Sequence, residues 1–184
     1  ERKKMNSIRS LFVPPLFLLL IATTVTTQAG EQTIKVTMPW DGEGTVYMIG
    51  TGKALFMGAF EGIMYVEKEE GELDAAFANC PATQHIDVET GSSSADGYCN
   101  IAVSGEDTVF AKWSCEGKIG TCKGNFELTG GTGRFEGVSG SSQLVVRSVL
   151  NALVSGLGDG EVVRTATGIA VLPRLTYQMT PAQQ

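Results

Sequence analysis

The chain has 184 residues, a formal net charge of −6, 42% hydrophobic residues and four cysteines, enough for one domain of ordinary size. The basic residues are few and scattered, so the acidic field excludes nucleic acid and anionic membrane surfaces as partners. Glycine, at 23 residues, runs about twice its usual roughly 7% without Gly-X-Y periodicity, which excludes collagen and points to many turns and bent strands.

Arg2, Lys3, Lys4 and Arg9 precede an apolar run at residues 11–22, and Thr27 and Ala29 form a small-residue cleavage pattern. The order reads as a secretory signal peptide over residues 1–29, with Met5 as initiator. The apolar run is short of the roughly 20 residues that span a bilayer and Pro14 and Pro15 interrupt it, so no stable membrane anchor is expected after cleavage. Residues 30–184 are then a secreted or periplasmic domain with 10 Lys and Arg against 19 Asp and Glu, close to −9.

Period-two alternation predicts a first strand at residues 32–38, a turn at 39–44, and β-branched and aromatic strands at 45–49 and 54–66. A charged turn at 67–72 leads to strands at 73–78 and 84–89, a Ser/Gly loop at 91–97 and a strand at 98–104. Strands through Trp113 and from Cys122 follow, and the last runs over 161–172 to Pro173. Such spacing without intervening helices argues for an antiparallel sandwich or closed barrel. Val149, Leu150, Leu153, Val154 and Leu157 break the pattern at helical spacing, predicting a short helix or flap near residues 149–155.

All four cysteines lie in the exported part, which favours two disulfides. If Cys115 faces Cys122 across a turn at 116–121, Trp113 faces Gly124, Ala111 faces Phe126 and Val109 faces Leu128, one continuous apolar face. That leaves Cys80 with Cys99, closing a loop worth about 3 kcal/mol. No paired C-x-x-C occurs and His85 is the lone histidine, so neither a metal site nor a cofactor is expected.

The glycine cluster at Gly130, Gly131 and Gly133 reads as a hairpin turn, since Glu136 stands where a dinucleotide fingerprint needs glycine. Setting Leu128 opposite Phe135 would place Glu127 opposite Glu136, with Arg134 diagonal to Glu127. Two opposed carboxylates in a cavity would raise one pKa, as a general acid needs, while in solvent they are only surface charges. Glu61, between apolar residues, is a third candidate as a buried carboxylate. Ser139 and Ser141 lack a nucleophile elbow, and His85 beside Asp87 reads as an exposed pair.

The stretch LTGGTGRFEGVSGS at residues 128–141, preceded by WSCEGKIGTCKGNFE and followed by ATGIAVLPRLTY, resembles exported bacterial proteins of the allene oxide cyclase and dirigent barrel-like group. The resemblance implies an eight-stranded antiparallel β-barrel, often a homotrimer, with an apolar interior. It carries no catalytic residue to this chain, because the matching motif is structural. Three functions fit. One is non-catalytic binding of a small apolar molecule by interior aromatics among Phe56, Phe60, Tyr65, Phe110, Trp113, Phe126 and Phe135. Another is a cyclase or isomerase using Glu127, Glu136 or Glu61, and the last is a structural trimer. The first is favoured, with Phe110, Trp113, Phe126 and Phe135 as ligand-binding residues.

Overall fold

The computed structural model describes residues 30–67, 73–149 and 161–179. Eight strands form over them: β1 (Gln32–Gly50), β2 (Lys53–Glu67), β3 (Leu73–Asp87), β4 (Ser92–Ser104), β5 (Asp107–Lys118), β6 (Thr121–Gly131), β7 (Ser139–Ser148) and β8 (Glu161–Gln178). Each pairs antiparallel with its chain neighbours, and β1 closes a barrel on β8, with Gln32 opposite Tyr177 and Val46 opposite Glu161. The expected all-β eight-stranded antiparallel barrel is therefore the observed fold. The leader and, beyond Val149, the helix or flap expected at 149–155 lie outside the described residues.

Alternation decides which side chains face the lumen. In β1 the even positions Val36, Met38, Trp40 and Val46 are buried, while Lys35, Pro39, Asp41 and Glu43 are exposed. The same alternation puts Ala54, Phe56 and Met64 of β2 and Ala76, Ala78 and Cys80 of β3 inside. Three of the barrel's largest rings fit because inward glycines stand beside them. A Cβ on Gly42 would lie 2.9 Å from the Phe60 ring, one on Gly44 would lie 2.5 Å from the Phe56 ring, and one on Gly168 would strike Trp40.

Strands expected to end at prolines run straight through them. β1 continues past Pro39, where its ladder to β2 steps from Thr37–Tyr65 to Trp40–Gly62. β3 continues past Pro81, where its ladder to β4 steps from Asn79–Asn100 to Ala82–Gly97. Pro173 sits in a bulge of β8, between Leu172, opposite Val36, and Leu175, opposite Ile34. Proline has no N–H to give: beside Pro39 and Pro81 the ladder to one neighbour skips pairs without changing register, and Pro173 falls in a bulge, so each strand survives. Consequently the turn expected at 39–44 is part of β1, and the loop expected at 91–97 is mostly β4.

Both disulfides form as expected, Cys80 with Cys99 and Cys115 with Cys122. The register around the second differs by two residues. Cys115 lies opposite Gly124 and Gly117 opposite Cys122, Trp113 opposite Phe126 and Ala111 opposite Leu128. The reason is the turn: only Ile119 and Gly120 separate the strands, and Gly120, at φ 85°, takes the positive φ that the second central residue of a type II turn requires. A slip of two keeps the side chains on the same face, so the expected apolar surface survives and the disulfide joins diagonal neighbours at a Cα separation of 5.5 Å.

The glycine motif is not a tight hairpin either. After Gly131 the chain makes a single 3-10 turn at Gly133–Phe135 before β7 begins at Ser139. Thr132 fastens this segment to the β4–β5 turn: its hydroxyl donates to the Glu106 carbonyl (3.1 Å) and accepts from the Thr108 amide (3.0 Å). Asp107 bonds Arg134 Nε at 2.9 Å, so Arg134 answers Asp107 and not Glu127. Below it Val138, Leu128, Val109, Ile101, Leu172 and Leu175 are buried and close this end of the barrel.

Replacing Gly168 with Ala is expected to cost about 1–3 kcal/mol by crowding Trp40 and the Arg147 carbonyl, whereas Gly50→Ala, with only Lys53 side-chain atoms at 3.8 Å or more, is near neutral. Thermal unfolding checks this; about 2–4 °C per kcal/mol is expected for a domain of this size.

Candidate functional site

Above that plug the lumen holds a cavity of about 90 Å³ reaching the opposite end, beside the Ile119–Gly120 turn. Trp40 of β1, Phe56 and Phe60 of β2, Trp113 of β5 and Phe126 of β6 line it. Phe60 is the hub. Its ring centroid lies 4.9 Å from Trp40 and 6.1 Å from Trp113, both edge to face, and 5.5 Å from Phe56. Such pairs contribute about 0.5–1.5 kcal/mol each beyond area burial and hold the rings in fixed orientations. All four cysteines border the same space, so the two disulfides act as wall as well as staple.

Polar groups sit toward the mouth. Ser93 is buried, and its Oγ accepts a hydrogen bond from Gln84 Nε2 at 2.7 Å. Ser148 borders the opposite wall, and Lys118, exposed at the rim, is the one charged residue touching the cavity among the described residues. Among the described residues, the buried side chains include none that is charged. This follows from the strand pattern, which spends the described inward positions on apolar, small or neutral polar residues.

The expected site residues separate accordingly. Trp113 and Phe126 line the cavity. Phe135 packs against the core beneath the 3-10 turn and does not reach it, while Phe110 and Tyr65 lie on the outer face, 38% and 39% exposed. Phe110 lies one residue out of step with Val109 and Ala111, so alternation itself sends it outward.

The three carboxylates are all outside. Glu127 stands opposite Ser141, not Glu136, and pairs with Lys112 at 3.0 Å. Glu136 ends the 3-10 turn in solvent, because the chain spends residues 132–138 on that turn instead of pairing them with β6. Glu61 is exposed rather than buried, and accepts a hydrogen bond from Asn79 Nδ2. Glu61, Glu127 and Glu136 form no dyad in the lumen, and acid–base chemistry through these residues would have to occur on the barrel's outer wall. Among the described residues no cluster of three or more His, Cys, Asp or Glu is arranged to hold a metal ion.

Trp40, Met38, Gln84 and Ser93 are among the lining residues that sequence reasoning missed. Trp40 and Ser93 fell in stretches read as turn and loop; the signal that could have found Trp40 is the even-numbered run Val36, Met38, Trp40, which continues unbroken past Pro39. Compared with family models, curated proteins and solved structures, the chain finds no match.

Two expectations follow. Glu61→Gln, Glu127→Gln and Glu136→Gln should each shift stability by less than about 1 kcal/mol in chemical denaturation, since all three are solvated surface groups. Beside the mouth, a hydrogen bond from the Thr90 amide (3.0 Å) holds the Asp87 carboxylate below its ordinary pKa of 3.8. A depressed carboxylate stabilises the fold above its unfolded pKa and loses that contribution as pH falls through the folded value. Asp87→Asn should therefore be destabilising at pH 7, with the difference from the parent shrinking below about pH 4. Urea unfolding across that range measures it.

Proposed function

We propose that the chain is an exported, disulfide-stabilised barrel that holds a small apolar molecule in its lumen without transforming it. The observation that carries this reading is an aromatic cavity whose described lining holds no carboxylate and no histidine, its one charged residue being Lys118 at the rim. An apolar molecule gains there what it loses in water, at roughly 25 cal/mol per Å² of buried surface. At about 90 Å³ the space is smaller than the roughly 150 Å³ engineered cavity that takes benzene, which fits a short chain or a single ring standing partly in the mouth. Export is supported by the pattern of residues 1–29 and by two disulfides, which persist in oxidising compartments. The resemblance to allene oxide cyclase and dirigent barrel-like proteins supports an apolar interior ligand, not their chemistry.

Both tryptophans of the chain line the cavity, so intrinsic fluorescence reports on it directly. Titration with toluene should give a saturable change. Ala170→Phe, which fills the lining between Met38 and Val146, should abolish it while the protein still unfolds cooperatively. A parent protein that gives only a linear, non-saturating response refutes the reading.

A further inference from the structure

Resting on that reading, we propose that Gln84 and Ser93 form a neutral polar subsite that selects an uncharged ligand carrying one hydroxyl group. Gln84 of β3 and Ser93 of β4 stand two positions out of register across one ladder, Gln84 opposite Ala95 and Ser93 opposite Ile86, so they meet diagonally on the lumen face. Ser93 is only 8% exposed, and its single side-chain bond among the described residues is the one it accepts from Gln84 at 2.7 Å. A serine hydroxyl that accepts still has its own hydrogen to donate, and the Gln84 amide oxygen still has lone pairs to offer. Turning the amide over exchanges these roles but leaves one donor and one acceptor facing the cavity. A buried hydroxyl without an acceptor is unfavourable, so the pair is completed by a group that accepts and donates at once, which a hydroxyl does and a hydrocarbon does not.

The surroundings reject the ionised alternatives. The buried described residues carry no charge to neutralise an anion or a cation, and the outer surface of the barrel is strongly acidic. Lys118, the charged residue at the rim, is solvated, so its attraction for an anionic head is screened by water and salt. Both polar residues border the same space as Trp113 and Phe60, so one ring can lie against the aromatics while its substituent reaches the pair.

The test compares three ligands with one ring in common, toluene, benzyl alcohol and benzoate, by tryptophan fluorescence on the parent and on Ser93→Ala and Gln84→Met. The affinity ratio of benzyl alcohol to toluene should fall about tenfold in each variant, with toluene binding retained, as expected for loss of one hydrogen bond to a buried group. Benzoate should bind the parent at least about a hundredfold more weakly than benzyl alcohol. An unchanged alcohol-to-toluene ratio in both variants, or benzoate binding equal to the alcohol, overturns the subsite and leaves the apolar cavity standing. Failure of toluene and benzyl alcohol alike to saturate the parent overturns the cavity reading itself, and the subsite with it. Melting temperatures within a few degrees of the parent confirm that each variant is folded.

Discussion

The structure depends on a fit between rings and gaps. A barrel of eight strands encloses a lumen barely wide enough for side chains to fill, yet this one accommodates Trp40, Phe56, Phe60, Trp113 and Phe126. It does so because glycines at Gly42, Gly44 and Gly168 give up their inward volume to the neighbouring rings. Large beside absent is the packing rule along β1 and β8, and the cavity is the part of the lumen that the rings leave over. The abundance of glycine is therefore a property of the core as much as of the turns.

Charge is sorted with equal strictness. Lys35 with Glu67, Lys112 with Glu127 and Arg134 with Asp107 all pair on the outside, where ion pairs contribute little to stability. Among the described residues the buried side chains carry dipoles only. A site made this way discriminates by shape and by hydrogen-bond complementarity, and holds its occupant by burial instead of by charge. The disulfides belong to the same design: as apolar wall they cost no unsatisfied polar atom, and they tie the paired strands that carry Gln84, Ser93 and Trp113.

How much of this was legible in the sequence depended on whether a feature was local. Alternation is local, so the shared face of Val109, Ala111, Trp113, Cys115, Phe126 and Leu128 could be read directly, and with it the Cys115–Cys122 bridge that left Cys80 to Cys99; which of the two faces points inward was not legible, as Phe110 shows. Register is not, because it depends on turn length. A six-residue turn was assumed where Gly120 makes a two-residue one, and the error of two residues was harmless only because side chains repeat every two. Opposing Glu127 to Glu136 had no such protection, since the link after Gly131 is long enough to carry Glu136 out of the sheet altogether. Prolines misled in the other direction. Pro39 and Pro81 look like strand ends in isolation, and only the neighbouring strands reveal that no donor was required there. That hid Trp40, the ring that joins β1 to the aromatic cluster.

The pairing of β1 with β8 joins segments nearly the whole described chain apart, Gln32 with Tyr177. Both covalent links lie within local hairpins, at separations of 19 and 7 residues, so neither shortens the search for this seam. Loop-closure entropy must be met before the seam returns any contact energy. A topology with so distant a seam is expected to fold on the millisecond-to-second scale of non-local β-proteins. Until the seam closes the free edges of both terminal strands are open templates for intermolecular β-pairing.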